Sequence, residues 1–245
     1  MASRNHTVDE YLEALYFLAF PVGEYGPMVE GERPAPAARV AEMLGVSAPT
    51  ASEMLKRMES DGLIERDGRR PLLTPEGRTR AENVVRHHRI IERFLTDVLG
   101  IPWDEVHEEA ERLEHAMSPV LEERMMAAIG DATTCPHGHP IEVGQRHEGV
   151  PLADVEVGAS VRVLRFENEA EDLLHYLKAS GIEPGMTGTL AERTGEEIVV
   201  AADGGARVAL TASVAETVSV AADPSPPART ALPEQLVIAT DRYGR

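Results

Sequence analysis

Apolar residues recur at helical spacing near the start of the chain. In "TVDEYLEALYFLAF" the positions Tyr11, Leu12, Leu15, Tyr16 and Leu18 predict a helix over 7–20, with Thr7 as its N-cap. A loop rich in Gly and Pro follows at 21–36. A short helix is predicted over 37–44, ended by Gly45, and a second over 48–61, capped by Ser47 and closed by Gly62. Two short β segments, 63–66 and 71–74, flank the turn "DGRR". Thr74 and Pro75 then open a long helix to about residue 98. The break "GIPW" separates it from helices predicted over 103–117 and 119–129, followed by the loop "GDATTCPHGHPIEVGQRHEGVP". From about 151 β-forming residues cluster around Gly-rich turns, with one helix at 169–180, which reads as a small five-stranded barrel. The last twenty or so residues, opening "DPSPPART", read as a flexible tail with a short apolar end, "LVIA".

Two short helices joined by a tight glycine turn and followed by a β-hairpin make a winged helix-turn-helix. That motif needs a small residue in its first helix (Ala41), a turn glycine (Gly45), an apolar residue after it (Val46) and apolar anchors in the second helix (Ala51, Leu55), and all stand in place. The second helix would lie in the major groove. Ser47, Pro49, Thr50, Ser52 and Glu53 would face bases, and Lys56 and Arg57 phosphates. Arg69 and Arg70 in the wing suit phosphate or minor-groove contact.

Composition complicates that reading. The 245 residues carry a formal net charge of −18, and acidic chains repel nucleic acid. Residues 1–75 alone hold eight Lys/Arg against twelve Asp/Glu, a net of −4. No apolar run approaches the roughly 20 residues of a membrane span, and the N-terminus lacks the pattern of a signal peptide. The one cysteine, Cys135, fits a reducing cytoplasm. A DNA-binding module on so acidic a chain calls for something positive to complete it.

Three helices offer that completion as metal ligands at contact spacing: Glu10 and Glu13; His88 and Glu92; and His107, Glu111, Glu114 and His115. An acidic protein has glutamate pairs by chance, and most are solvated faces. These helices, however, also carry apolar faces (Leu12, Leu15; Ile90, Ile91, Phe94, Leu95; Val106, Ala110, Leu113), which would bring the ligands together near a core. Buried unpaired carboxylates are costly, and a divalent cation would neutralise them. Oxygen and imidazole donors without thiolate suit Mn²⁺ or Fe²⁺ over Cu⁺ or a structural tetrathiolate zinc.

The stretch "HHRIIERFLTDVLGIPWDEVHEEAERLEHAMS", following "ARVAEMLGVSAPTASEMLKRMESDGLI", resembles the diphtheria-toxin-repressor family of metal-dependent transcriptional regulators. The resemblance runs from about residue 7 to 145 and more loosely into an SH3-like, iron-transport-A-type domain. It implies a DNA-binding domain at 1–75, a helical metal-binding and dimerisation domain at 76–145, an all-β SH3-like barrel at 151–222 and a tail at 223–245. Iron-responsive members place Met where Glu10 stands and Cys where Glu111 stands, whereas manganese-responsive members place carboxylates at both. The resemblance therefore implies a manganese cluster of Glu10, Glu13, His88, Glu111, Glu114 and His115. It implies a second site from Cys135 and His137 in "TCPHGHP" with Glu92, completed by an acid of the C-terminal domain, Glu167 or Glu169. His107 matches an ancillary-site histidine of the iron type. Glu53 replaces a glutamine of iron-type members, so an operator cannot be copied across. The implied function is a cytoplasmic homodimer, activated by Mn²⁺, that binds palindromic double-stranded operator DNA and represses metal-uptake genes, with no membrane and no small-molecule substrate as partner. An iron-responsive regulator of the same family is the first alternative; a two-metal hydrolase is the second.

Overall fold

The computed structural model describes residues 7–19, 37–68, 70–143 and 149–223. The 21–36 loop, Arg69 and the tail lie outside the described residues. Helix α1, Val8–Ala19, opens with a reciprocal cap: the Glu10 amide donates to Thr7 Oγ1 (3.3 Å) and the Thr7 amide donates to the Glu10 carboxylate. Its apolar face, Tyr11 to Tyr16, is buried against Val40, Leu44, Leu55 and Met58 of α2 (Ala37–Met43), the turn after it and α3 (Ala48–Ser60). Gly45 (φ 62°) turns the chain between α2 and α3 in a conformation side chains resist. The wing pairs β1 (Ile64–Asp67) with β2 (Arg70–Leu73). Asp67 lies opposite Arg70, so the connection is two residues, tighter than the pattern predicted.

The wing is tied to α4, Pro75–Asp97. Thr74 caps the helix by accepting from the Gly77 amide (3.1 Å), and its own hydroxyl donates to the Gly62 carbonyl (2.7 Å). At Gly77 the helix touches the wing so closely that a Cβ would lie 1.9 Å from the Leu63 carbonyl oxygen.

A second core joins α4 (Ile90, Ile91, Leu95) to α5, His107–Leu113, and α6, Pro119–Ile129. The helix predicted over 103–117 begins only at His107. Residues before it serve the C-terminal domain instead: the Trp103 ring lies 5.5 Å from that of Phe166, and Asp104 receives the Lys178 ammonium. The helix also tightens into a 3-10 turn at Glu114–Ala116 before Ser118 caps α6. Leu113 belongs to no buried face; it is exposed, with Val98, Leu99, Val120 and Leu121.

The C-terminal domain is an SH3-like antiparallel sheet of six strands, one more than predicted. The strands are β3 (Val150–Pro151), β4 (Ser160–Phe166), β5 (Thr187–Arg193), β6 (Glu197–Ala202), β7 (Arg207–Thr211) and β8 (Val218–Asp223), in the order β3-β8-β4-β5-β6-β7. The added strand is a two-residue edge too short for alternation to reveal. Register shifts in β4 and β5 bend the sheet over a core that includes Phe166, Leu174 and Leu190. Helix α7 spans Glu171–Ala179, starting two residues later than predicted, and Asn168 Oδ1 accepts from the Ala170 amide (2.9 Å) just before it. That delay leaves Glu169 outside the helix, in the connection after β4. A last turn, α8 (Ala212–Ala215), precedes β8.

Gly77→Ala is expected to destabilise the fold by about 2–4 kcal/mol through overpacking against the wing. Gly195→Ala, where the added Cβ meets open space, should change stability by less than about 0.5 kcal/mol. Urea unfolding of both variants checks the pair.

Candidate metal centre

Helix α4 is the spine of the site. His88 and Glu92 stand one turn apart on its buried face. Glu92 has no solvent exposure, and three imidazoles converge on its Oε1: His88 Nε2 at 2.9 Å, His107 Nδ1 at 3.1 Å and His137 Nδ1 at 3.1 Å. His107 comes from the first position of α5. Glu169 arrives from the short connection between β4 and α7, with Oε2 3.5 Å from His107 Nδ1 and Oε1 3.6 Å from His137 Nδ1.

The Cys-Pro-His-Gly-His segment forms a small hairpin. The Cys135 amide donates to the His139 carbonyl (2.7 Å) and the Ile141 amide to the Thr133 carbonyl (2.9 Å). It lies flat on β4: the Phe166 amide donates to the His137 carbonyl (3.0 Å), and His139 Nε2 donates to the Phe166 carbonyl (2.7 Å). Gly138 (φ 93°) sits where a Cβ would lie 2.0 Å from the Leu164 carbonyl oxygen, so only glycine allows that approach. His137 Nε2 donates to the Trp103 carbonyl (2.6 Å), which fixes its ring and turns Nδ1 toward Glu92. Imidazoles that hold metals are commonly oriented by such a bond from the other ring nitrogen.

Three buried sets of donors result, each with its ligand atoms within 4.8 Å of one another: His88, Glu92, His107 and Glu169; Glu92, Cys135, His137 and Glu169; and Glu13, His88 and Glu114. In the third, His88 Nδ1 donates to Glu114 Oε2 (2.5 Å). The other predicted ligands fall outside these three sets. Glu10 is turned back to cap α1; His107 Nε2 lies 3.4 Å from Glu111; His115 Nε2 lies 3.5 Å from Glu114 Oε1 on the exposed side. Glu167 corrects the predicted set. Its carboxylate is taken by Arg165 Nε (2.7 Å) and the Ser219 hydroxyl inside the C-terminal domain, and Glu169 supplies the acid to the cluster. An arginine two residues earlier, near the end of β4, was the signal. His139, which sequence reasoning passed over, has Nε2 3.2 Å from Glu169 Oε1. A fourth group, Asp104, Glu105 and His175, already has the Lys178 ammonium on Asp104.

Electrostatics show what balances these acids. Burial opposes a charge on His88, but Glu92 and Glu114 outweigh it and raise its pKa well above the usual 6.5. His137 is likewise raised against its burial, chiefly by Glu92, and His107 by Glu111 and Glu92. Glu92 is held far below the ordinary carboxylate range by His137 and His88, despite burial pushing the other way. Burial lifts the Cys135 thiol, and Glu92 adds to it. Burial, with Arg89 and Arg165 beyond it, pushes His139 down to about 3, so it stays neutral. Protons on imidazoles thus occupy the role a cation would take. Glu92 Oε2 is buried with no hydrogen-bond partner among the described residues, and His137 aims Nδ1 at the cluster. Imidazole, carboxylate and one thiol fit a divalent transition metal.

At the other end of the chain, Ser47 caps α3 by accepting from the Thr50 amide (3.2 Å). Ala51, Leu55 and Met58 face inward, and Ser47, Pro49, Thr50, Ser52, Glu53, Lys56 and Arg57 are all exposed on one side. Arg70 is half-buried at the start of β2, and Arg69 lies outside the described residues.

Family profiles match all three parts: the N-terminal DNA-binding domain of iron-dependent repressors over 5–72, their metal-binding and dimerisation domain over 74–142, and a FeoA domain over 150–222. The iron-dependent repressor IdeR of Mycobacterium tuberculosis strain H37Rv is 36% identical over 231 residues, spanning 87% of this chain and 96% of that protein. The chain belongs to the iron-dependent repressor family. It is also 41% identical to the diphtheria toxin repressor of Corynebacterium diphtheriae over 152 residues, 62% of each chain. Among solved structures, a manganese-dependent transcriptional repressor in complex with manganese superposes with a TM-score of 0.77 at 31% identity, covering 88% of this chain and all of the other. This repressor-family chain is therefore a metal-dependent, DNA-binding transcriptional repressor, and its family binds operator DNA and dimerises. The family consists of repressors, not enzymes, which removes the hydrolase alternative. Among the described residues no helix is long and apolar enough to cross a membrane.

Metal binding at these sets must displace protons from the raised histidines. A histidine with a raised folded pKa contributes stability that is fully present below its unfolded value of 6.5 and is lost as pH rises through the folded value. The metal-free protein should therefore lose melting temperature as pH rises above 6.5, whereas the metal-loaded protein, freed of those protons, should lose much less. Thermal melts across pH, with and without chelator, check the sign.

Proposed function

We propose that this protein is a manganese-responsive repressor acting as a cytoplasmic homodimer on palindromic operator DNA. The observation that carries the reading is the donor set at the junction of α1 with α4 and the 3-10 turn: Glu13, His88 and Glu114, with His115 3.5 Å from Glu114; to these the reading adds Glu10 and Glu111. Every donor there is oxygen or imidazole, and the absence of sulfur lowers the preference for softer metals and leaves Mn²⁺ competitive. The likeness to the manganese-bound repressor supports it. The counter-reading, an iron-responsive regulator, is supported by 36% identity to an iron-dependent repressor.

A bound divalent ion supplies the positive charge that lets Glu13 and Glu114 stay together. Glu13 belongs to α1, whose apolar face is part of the DNA-binding core, while Glu114 follows α5. Holding that pair closed fixes the DNA-binding unit (1–75) on the helical unit (76–145). In a dimer this sets the spacing of the two recognition helices to half-sites about one helical turn, or a multiple, apart. Glu169 ties the third unit (151–222) to the same pocket. On this reading the second ion is held by Glu92, Cys135, His137 and Glu169. Ser47, Pro49, Thr50, Ser52 and Glu53 read the groove, and Lys56, Arg57, Arg69 and Arg70 hold phosphates. The exposed Val98, Leu99, Leu113, Val120 and Leu121 form the dimer face.

In electrophoretic mobility assays, operator binding should be tight with Mn²⁺, weaker with Fe²⁺ and lost with chelator; equal binding in all three would sink the switch. Glu111→Cys should move the response toward Fe²⁺, with an unchanged metal profile counting against the donor argument. Val120→Lys with Leu121→Lys should give a folded monomer in sedimentation, with operator affinity lowered at least tenfold, about 1.4 kcal/mol.

A further inference from the structure

His88 belongs to two donor sets at once, and uses a different nitrogen for each. Nδ1 faces Glu114 Oε2 at 2.5 Å in the set that reaches α1. Nε2 faces Glu92 Oε1 at 2.9 Å and His107 Nδ1 at 3.1 Å in the inner set that reaches Glu169. The ring is buried, and the two sets meet it at opposite nitrogens, Glu114 at Nδ1 and Glu92 at Nε2. A neutral imidazole has one lone pair; its other nitrogen carries hydrogen and can only donate.

We propose that His88 serves only one of the two sets at a time, so that the α1 junction and the inner pocket compete for it. This rests on the metal-dependent reading above and specifies how its two centres are linked. With Nδ1 ligating beside Glu13 and Glu114, the Nε2–H is left donating to Glu92. The inner ion must then be held by Glu92, Cys135, His137 and Glu169, a set complete without His88. With Nε2 ligating beside Glu92, His107 and Glu169, the Nδ1–H donates to Glu114, and Glu13 and Glu114 lose their buried nitrogen donor. His115, 3.5 Å from the other Glu114 oxygen, remains available there, so the coupling weakens the α1 set rather than abolishing it. The linkage is reciprocal: whatever factor one ion costs the other, it suffers in return.

The consequence is selectivity by placement. A metal that favours imidazole is drawn to the histidine-rich inner set, takes His88 away from α1 and loosens the contact that poses the DNA-binding unit. A harder ion satisfied by Glu13 and Glu114 keeps His88 at the junction.

The test uses the full-length dimer loaded with an NMR-active cadmium isotope, with histidine labelled by a magnetic nitrogen isotope. With both centres filled, His88 should show coupling through Nδ1 to one cadmium only, and the other cadmium should carry the downfield shift of a thiolate ligand. Glu114→Gln, which removes a buried charge without changing volume, should switch the His88 coupling to Nε2 and raise cadmium affinity at the inner set on the order of tenfold by calorimetry. Glu13→Gln should do the same and guards against misfolding of the first variant. Coupling of His88 to both ions at once, or an inner-set affinity unmoved by both variants, overturns the proposal while leaving metal-dependent repression standing. Failure of cadmium to bind either set overturns both.

Discussion

A single buried carboxylate organises this molecule. Glu92 has no exposure to water, and a charge so placed is tolerable only if opposite charge meets it directly. Imidazoles from α4, α5 and the Cys-Pro-His-Gly-His hairpin meet it, and Glu169 adds a second acid from the C-terminal domain. The pocket therefore needs positive charge set directly against its acids. Without metal, the acids favour protons on the facing imidazoles, raising His88, His107 and His137 above their usual range; metal binding competes with those protons. Most of what the protein can do follows from that exchange.

The surrounding fold links the pocket to the DNA-facing unit. Helix α4 bears His88 and Glu92 midway and meets the wing at Gly77 near its start, so the pocket and the DNA-facing unit share one rigid element. Helix α1 is the second connection, since Glu13 lies on a helix whose other face is core to the winged domain. An acidic DNA-binding unit is then less paradoxical. Its surface need not attract DNA strongly by itself if affinity depends on two copies being held at the right distance.

The helices, the winged motif and most ligands were legible because each rests on local rules: caps at Thr7, Ser47 and Thr74, a turn at Gly45, and His/Glu spacing within a turn. What sequence could not show was settled by neighbours far along the chain. Glu167 and Glu169 stand two apart in the short stretch after β4, and only Arg165 and Ser219 decide that the first is engaged elsewhere. The helix expected from 103 starts at His107 because Trp103 and Asp104 are committed to Phe166 and Lys178. Glu10 reads equally as ligand or cap, and in this structure it caps. His139 supports Glu169 through a contact that exists only once the hairpin lies on β4.

That hairpin makes the third domain more than an appendage. Its fit on β4 rests on a main-chain bond, one imidazole donating to the Phe166 carbonyl and a glycine with no space beside it, so few side chains are available to be tuned. A chain cut after residue 149 would uncover the Trp103 ring and strip His137 and His139 of their partners on Phe166. A domain borrowed from a relative would have to reproduce a backbone contour, not merely an acidic residue. The molecule inherits its modules as a matched set.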